Sequence, residues 1–202
     1  MSAVDDFTEQ GAAVSDAVLA AKVERLNVLI DAISARHAKV KFASSLAAED
    51  STLPAPDALP AGPVLEPFAW WKEVREALVE ARGPESLGVW LAPEDEPADL
   101  VGDFDKLSLI GVDFPVFRDG RGYSTARLLR ERYGWRGELR AIGDVLHDQL
   151  NYMARCGFDA FAVRADKDIH YALKAFGELS VQYQGAVDNP LPLFRRRTET
   201  RA

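Results

Sequence analysis

Between Leu107 and Arg164 the chain alternates between short apolar runs and helix-length amphipathic stretches, and this constrains its fold more than any other feature. LSLIGVD (107–113), ELRAIG (138–143) and DAFAVR (159–164) have the length and composition of strands, the first as a continuous run suited to burial on both faces. Between them, Ser124 is placed to cap a helix running to about Tyr133, which Gly134 closes. Asp144 is placed to cap a second, with Leu146, Leu150 and Met153 on its apolar face and Gly157 at its end. Strands separated by helices of this length cannot form hairpins and must pair parallel through right-handed crossovers. The sequence therefore predicts an α/β fold, a compact, mostly parallel sheet or partial barrel with flanking helices.

The same reading extends in both directions. Pro67 to Arg82 predicts a helix with Trp71, Val74, Leu78 and Ala81 on one face, where the adjacent Trp70 and Trp71 cannot point the same way, so that one ring is expected at an interface. GVWLA (88–92) predicts a strand, PEDEPADL an acidic loop or short helix, and Asp166 a cap for a last helix carrying Ile169, Leu173, Phe176 and Leu179; the segment beyond runs out through prolines. Ahead of all this, Leu19, Val23, Leu26, Ile30 and Ile33 form a helical stripe over residues 15–37, with Ser15 or Asp16 as cap, and KVKFAS (39–44) alternates like a short strand. The expected organisation is an N-terminal helix plus short strand (1–50), a proline-rich linker (51–63), an α/β core (64–197) and a tail (198–202), with the N-terminal stripe available as a homodimer seam.

A chain of 202 residues supports one ordinary core with an appendage. Its net charge of -8 argues against a nucleic-acid partner, although residues 118–140 hold seven arginines against three acids and suit an anionic ligand or acidic partner surface. The single cysteine, Cys156, cannot build an internal disulfide, a CxxC pair or a cysteine-ligated cluster within one copy. The start MSAVDDFTEQ lacks a secretory pattern, and no apolar stretch approaches the roughly 20 residues needed to span a bilayer. The expectation is a soluble cytoplasmic protein without a membrane partner.

Open parallel sheets bind ligands at the carboxyl ends of their strands. That rule gathers Asp113, Asp144 and Arg164 on one rim beside the loop bearing Arg118, Asp119, Arg121 and Tyr123. Asp113 and Asp144 are the candidates for acid-base catalysis; Arg118, Arg121, Tyr123, Ser124 and Arg164 are the candidates for holding an anion. The same residues have structural readings: Asp144 and Ser124 as caps, Asp119-Gly120 as a turn, the guanidiniums as partners of the carboxylates. DGRGYS places two glycines before a helix as phosphate-binding loops do, but matches neither GxGxxG nor GxxxxGK[ST]. His37, His147 and His170 fall on three different predicted helices, so no metal site is expected. Cys156 reads as a small buried residue, with some thiolate character possible beside Arg155.

GVWLAPEDEPADL, IGVDFPVFRDGRGYSTARLLRERYGWRGELRAIGDVLHDQLNYMARCGFDAFAVRADKD and AVDNPLPLFRRR resemble, across residues 55–197, a bacterial family described as oxidoreductases involved in sulfite reduction. That resemblance implies a cytoplasmic accessory of assimilatory sulfate reduction, encoded beside sulfite reductase and phosphoadenylyl-sulfate reductase, and brings no catalytic residues with it. AAKVERLNVLIDAISARHAKVKFASSLAAEDS is similar to the N-terminal helix and first strand-loop of phosphoadenylyl-sulfate reductase: Ser44, Ser45, Glu49 and Asp50 match its phosphate-holding loop, while Ala47 stands where glycine is usual. The rest of that enzyme, including its cysteine motif, is absent, so residues 16–51 are expected to be a fused remnant without reductase activity. The fused start also replaces the first family's own N-terminal strand, which leaves the edge of the sheet open.

Two functional readings follow. In one the chain is an accessory that docks to sulfite reductase or its electron donor through the arginine-rich helix and rim. In the other it is an oxidoreductase acting on a sulfur oxyanion, with electrons from a bound flavin or a partner, since no cofactor motif is evident.

Overall fold

In the computed structural model, which describes residues 62–179 and 181–199, five strands pair in chain order and every neighbouring pair is parallel. They are β1 (Val64–Pro67), β2 (Leu87–Leu91), β3 (Leu109–Phe114), β4 (Glu138–Gly143) and β5 (Ala160–Phe161). The N-terminal helix, the 39–44 strand, the reductase-like loop and all but the last two residues of the linker lie outside the described residues. The edge the sequence left open is filled by β1, whose VLEP pairs with β2 from Val64 to Pro67.

Chain-order pairing through right-handed crossovers puts every crossover on the same side of the sheet, as in the wall of an opened barrel. The core confirms it. Leu87, Val89 and Leu91 of β2, Ile110, Val112 and Phe114 of β3, and Leu139 and Ala141 of β4 pack in one cluster with the helical residues Trp70, Trp71, Leu78, Leu129, Leu150 and Met153. The alternate residues point the other way: Trp90, Gly111, Arg140 and Ala160 form one row across four strands, next to Leu109 and Ile142. Both faces of β3 are buried, which is why LIGVDF reads as a continuous apolar run.

Helix α1 (Phe68–Ala81) buries both tryptophans, correcting the expectation that one ring would be left at an interface. The physical reason is a second neighbour: the 3₁₀ helix Pro97–Lys106 brings Leu100 and the buried Asp103 into the packing, and Asp103 accepts the Trp71 indole N–H at 2.9 Å. Lys106 donates to the other Asp103 oxygen at 2.6 Å. Burial opposes ionisation of Asp103, yet Lys106, Trp71 and Arg75 outweigh it and hold the carboxyl below its usual range.

Helix α2 (Arg121–Arg127) begins three residues earlier than Ser124, which therefore lies inside the helix and caps nothing. Gly122 explains the earlier start, because it is buried where any side chain would collide with the Phe114 ring, so the first turn of α2 rests directly on β3. The helix widens into a π turn over Leu128–Arg132 and is closed by Gly134 at φ 75°. Arg130 from that turn donates to the carbonyls of Gly157, Trp135 and Gly137 at 2.9, 2.9 and 2.8 Å and to Asp159 at 2.9 Å. One arginine of the basic segment is thus an internal strut between α2 and the amino ends of β4 and β5.

Helix α3 (His147–Cys156) starts with Gln149 accepting the Leu146 N–H at 2.9 Å, not with Asp144 as cap, and ends on Gly157 at φ 108°. The predicted strand over 159–164 shortens to β5, although backbone bonds from Ala162 to Ala141 (2.8 Å) and from Arg164 to Val145 (3.0 Å) carry the association with β4 onward. Asp168, not Asp166, caps α4 (Ile169–Ala172), which passes into a 3₁₀ turn over Leu173–Phe176; Leu179 falls beyond it and is exposed. The proline-rich end folds back, with Arg155 donating to the Gln184 carbonyl at 2.6 Å and α5 (Leu193–Glu199) held to the loop through Leu193 and Tyr183.

Candidate functional site

Parallel pairing brings the carboxyl ends of β3, β4 and β5 to one rim, and the three loops that leave it lie side by side. Asp144 links them. One of its oxygens accepts the Phe117 N–H of the β3–α2 loop at 2.9 Å, and the other accepts Arg164 Nη1 from the loop after β5 at 2.8 Å. Its own N–H donates to the Phe114 carbonyl at 2.6 Å. The role of Asp144 is therefore to tie three loops together, which corrects its reading as a helix cap.

Two of the three guanidiniums proposed from sequence, Arg164 and Arg121, are already occupied. Arg164 spends its remaining edge on Asp166, at 2.7 and 2.8 Å, while Asp166 also pairs with Lys167. Bonding to Asp166 and Asp144 drives the Arg164 pKa up, and bonding to Arg164 drives the Asp166 carboxyl down. Arg121 grips Asp119 with Nε and Nη2 at 3.0 and 2.7 Å, and its backbone N–H takes the same carboxylate at 3.1 Å. These bonds raise the Arg121 pKa and lower that of Asp119. Arg118 is exposed on the same loop. Ser124 is exposed one turn into α2, and Tyr123 is half-buried with its ring against Phe114 and Tyr152, facing the helices. The residues chosen as an anion cradle thus fall into separate contacts.

Nor does DGRGYS form a phosphate cradle. The Arg121 N–H goes to Asp119, the Tyr123 N–H goes to the Gly120 carbonyl at 3.2 Å, and Gly122 serves close packing. Among the described residues no group of three or more His, Cys, Asp or Glu side chains could hold a metal ion. His147 instead stacks on Tyr171, ring centroids 4.6 Å apart. Cys156 is buried, and burial pushes its thiol pKa up, which removes the thiolate character considered for it.

Asp113 differs from the other rim acids. It ends β3 in register with Ile142, on the sheet face away from the helices. Gly143, at φ 91°, leaves the space its carboxylate needs: a side chain there would collide with Asp113 Oδ1 and the Phe114 carbonyl. Burial, helped by the charges of Glu94 and Asp119 and opposed by the Phe114 N–H, pushes the Asp113 pKa up to about 6.

The sequence reading missed the apolar part of this rim. Val116 and Phe117 are 46% and 51% exposed, although they follow a buried strand. Their loop is held from several sides: Asp144 takes the Phe117 N–H, Gln149 donates to the Phe117 carbonyl at 3.4 Å, and the Asp119 N–H donates to the Val116 carbonyl at 3.0 Å. FPVFRDG carried the signal, two large apolar residues inside a turn that has no strand or helix period to bury them.

Residues 88–194 match the family of bacterial proteins of unknown function designated DUF934. The chain is also similar to the adenosine 5'-phosphosulfate reductase of Burkholderia cepacia, 71% identical over 35 residues, which is 17% of this chain. Those residues span 14% of the reductase. No solved structure matches. Among the described residues no helix is long and apolar enough to cross a membrane.

Proposed function

We propose that this chain, which belongs to the DUF934 family of bacterial proteins, serves assimilatory sulfate reduction as an accessory that docks to sulfite reductase or its electron donor. The short likeness to a phosphosulfate reductase supports the pathway. The docking role rests on one observation: Val116 and Phe117 stand exposed on a loop that hydrogen bonds hold in place. An aromatic anchor that is already ordered loses little conformational entropy on association, and such anchors carry most of the affinity at protein interfaces. Arg118, exposed beside them, suits a partner whose apolar pocket is bordered by a carboxylate.

The test is binding of purified sulfite reductase to the immobilised chain. Val116→Ser with Phe117→Ser should weaken binding by roughly 30-fold or more, the effect of losing one ~2 kcal/mol anchor, with circular dichroism and Tm unchanged. Equal binding by wild type and variant, or no binding by wild type either to sulfite reductase or to its electron donor in the same assay, overturns the proposal.

A second reading is favoured by Asp113 alone. A carboxyl that titrates near neutrality can relay a proton, as an oxidoreductase acting on a sulfur oxyanion with a bound flavin or a partner-supplied electron carrier would require. Flavin bands in the visible spectrum of the purified chain, bleached by reductant and restored by sulfite, would support that reading; a chain without a chromophore that leaves sulfite and a reduced carrier unchanged would overturn it.

A further inference from the structure

We infer that Arg164, acting through Asp144, is a positioning residue that sets the presentation of the Val116-Phe117 pair; the inference rests on the docking reading of that loop. The contacts run in one direction across the rim. Asp166 holds two donors of the Arg164 guanidinium, Nε at 2.7 Å and Nη2 at 2.8 Å, so the plane of the fork is fixed. The remaining donor, Nη1, meets Asp144 Oδ1 at 2.8 Å. With one oxygen fixed, the carboxylate of Asp144 cannot rotate about its terminal torsion without breaking a charge-assisted bond, and its Oδ2 stays aimed at the Phe117 N–H, 2.9 Å away.

That bond is the loop's connection to the neighbouring strand at the residue that matters. Phe117 offers the partner its ring, while its backbone N–H faces inward to Asp144 and its carbonyl receives Gln149 of α3. The Gln149 contact is long, at 3.4 Å, and Gln149 is already engaged by the Leu146 N–H, so the charged bond from Asp144 is the stronger restraint. Arg164 lies 47 positions further along the chain and reaches the anchor only because β3, β4 and β5 are adjacent and parallel. Pairing that looks like surface neutralisation thereby fixes a recognition element, and a loop released from it occupies its binding-competent conformation for only a fraction of the time, lowering apparent affinity by that fraction.

Arg164→Met removes the fork and keeps most of its volume. Native-state hydrogen exchange read at the Phe117 amide should accelerate at least tenfold while exchange in β3 and β4 and the Tm stay as in wild type. Affinity for sulfite reductase should fall severalfold, and the fall should vanish when Arg164→Met is placed in the Phe117→Ser background. Arg164→Lys, which keeps the charge without the planar fork, should shift exchange in the same direction and serves if the Met variant fails to fold. An unchanged Phe117 exchange rate overturns the inference whatever binding does. Faster exchange with undiminished affinity overturns the docking reading beneath it.

Discussion

Replacing Asp113 with asparagine should make the protein more stable at neutral pH. The carboxyl has a pKa of about 6 in the folded chain against 3.8 for an ordinary aspartate. When folding raises an acid's pKa, the native state binds more protons than the unfolded state between the two values, so stability falls as pH climbs from about 4 to about 6 and stays reduced above. At ~1.4 kcal/mol per tenfold, the gap corresponds to ~3 kcal/mol. The carboxylate is partly reached by solvent, and screening reduces this to ~1–2 kcal/mol. Asparagine keeps an oxygen for the Phe114 N–H and carries no charge for Glu94 and Asp119 to repel. Urea unfolding of both proteins, followed by tryptophan fluorescence at intervals from pH 4 to pH 8, should show curves that meet near pH 4 and separate to a plateau above pH 6.5. Curves that stay parallel, or an Asn variant less stable at pH 7.5, would refute the account of Asp113 as a desolvated, repelled carboxylate.

Three further substitutions test the frame around the rim. Arg130→Met should cost ~3 kcal/mol in urea unfolding, because it strands the carbonyls of Gly157, Trp135 and Gly137 and leaves Asp159 without its cation. Gly143→Ala should cost ~2 kcal/mol or more, since it forces a side chain to φ 91° and into the Phe114 carbonyl, and the loss should be visible as a lower Tm. Asp103→Ala should cost ~2–3 kcal/mol and change the emission of the buried Trp71, whose indole N–H loses its acceptor.

How far the sequence carried depended on the range of the interaction. ELRAIG was legible to the residue as β4, and LSLIGVD nearly so as β3, because burial on one or both faces imposes a pattern that a single strand displays by itself. β1 was not legible: four residues behind a proline-rich stretch show no period, and only pairing with β2 makes them a strand. The caps failed for a related reason. Asp119, Asp144, Asp166 and Asp168 each precede a helix and each is a valid cap in isolation. Which one caps is decided by where the helix can begin, and that is set by tertiary contacts such as Gly122 on the Phe114 ring. The rim residues Asp113, Asp144 and Arg164 were gathered correctly by the strand-end rule, but the partners of their charges were not. Asp119 with Arg121 and Arg164 with Asp166 are two residues apart and could be guessed; Arg164 with Asp144 is 20 apart and exists only through the sheet.

The charge arrangement weighs on the two functional readings. A sulfur oxyanion reaching this rim would meet one exposed guanidinium, Arg118; to be clamped by a second it would have to displace Asp119 from Arg121, or Asp144 and Asp166 from Arg164, exchanging a short two-point bond for one of similar strength. A protein partner needs no such exchange: it meets paired charges, an exposed Arg118 and a fixed aromatic ring. Asp113 pulls the other way, since burial raises its pKa to about 6, where a carboxyl can give and take a proton near neutral pH. The two readings therefore predict opposite outcomes in cells that lack this chain and grow on sulfate as sole sulfur source. If docking is the function, Asp113→Asn restores growth as wild type does and Val116→Ser with Phe117→Ser does not. If catalysis is the function, the Asn variant is folded, more stable and inactive, while the loop variant restores growth.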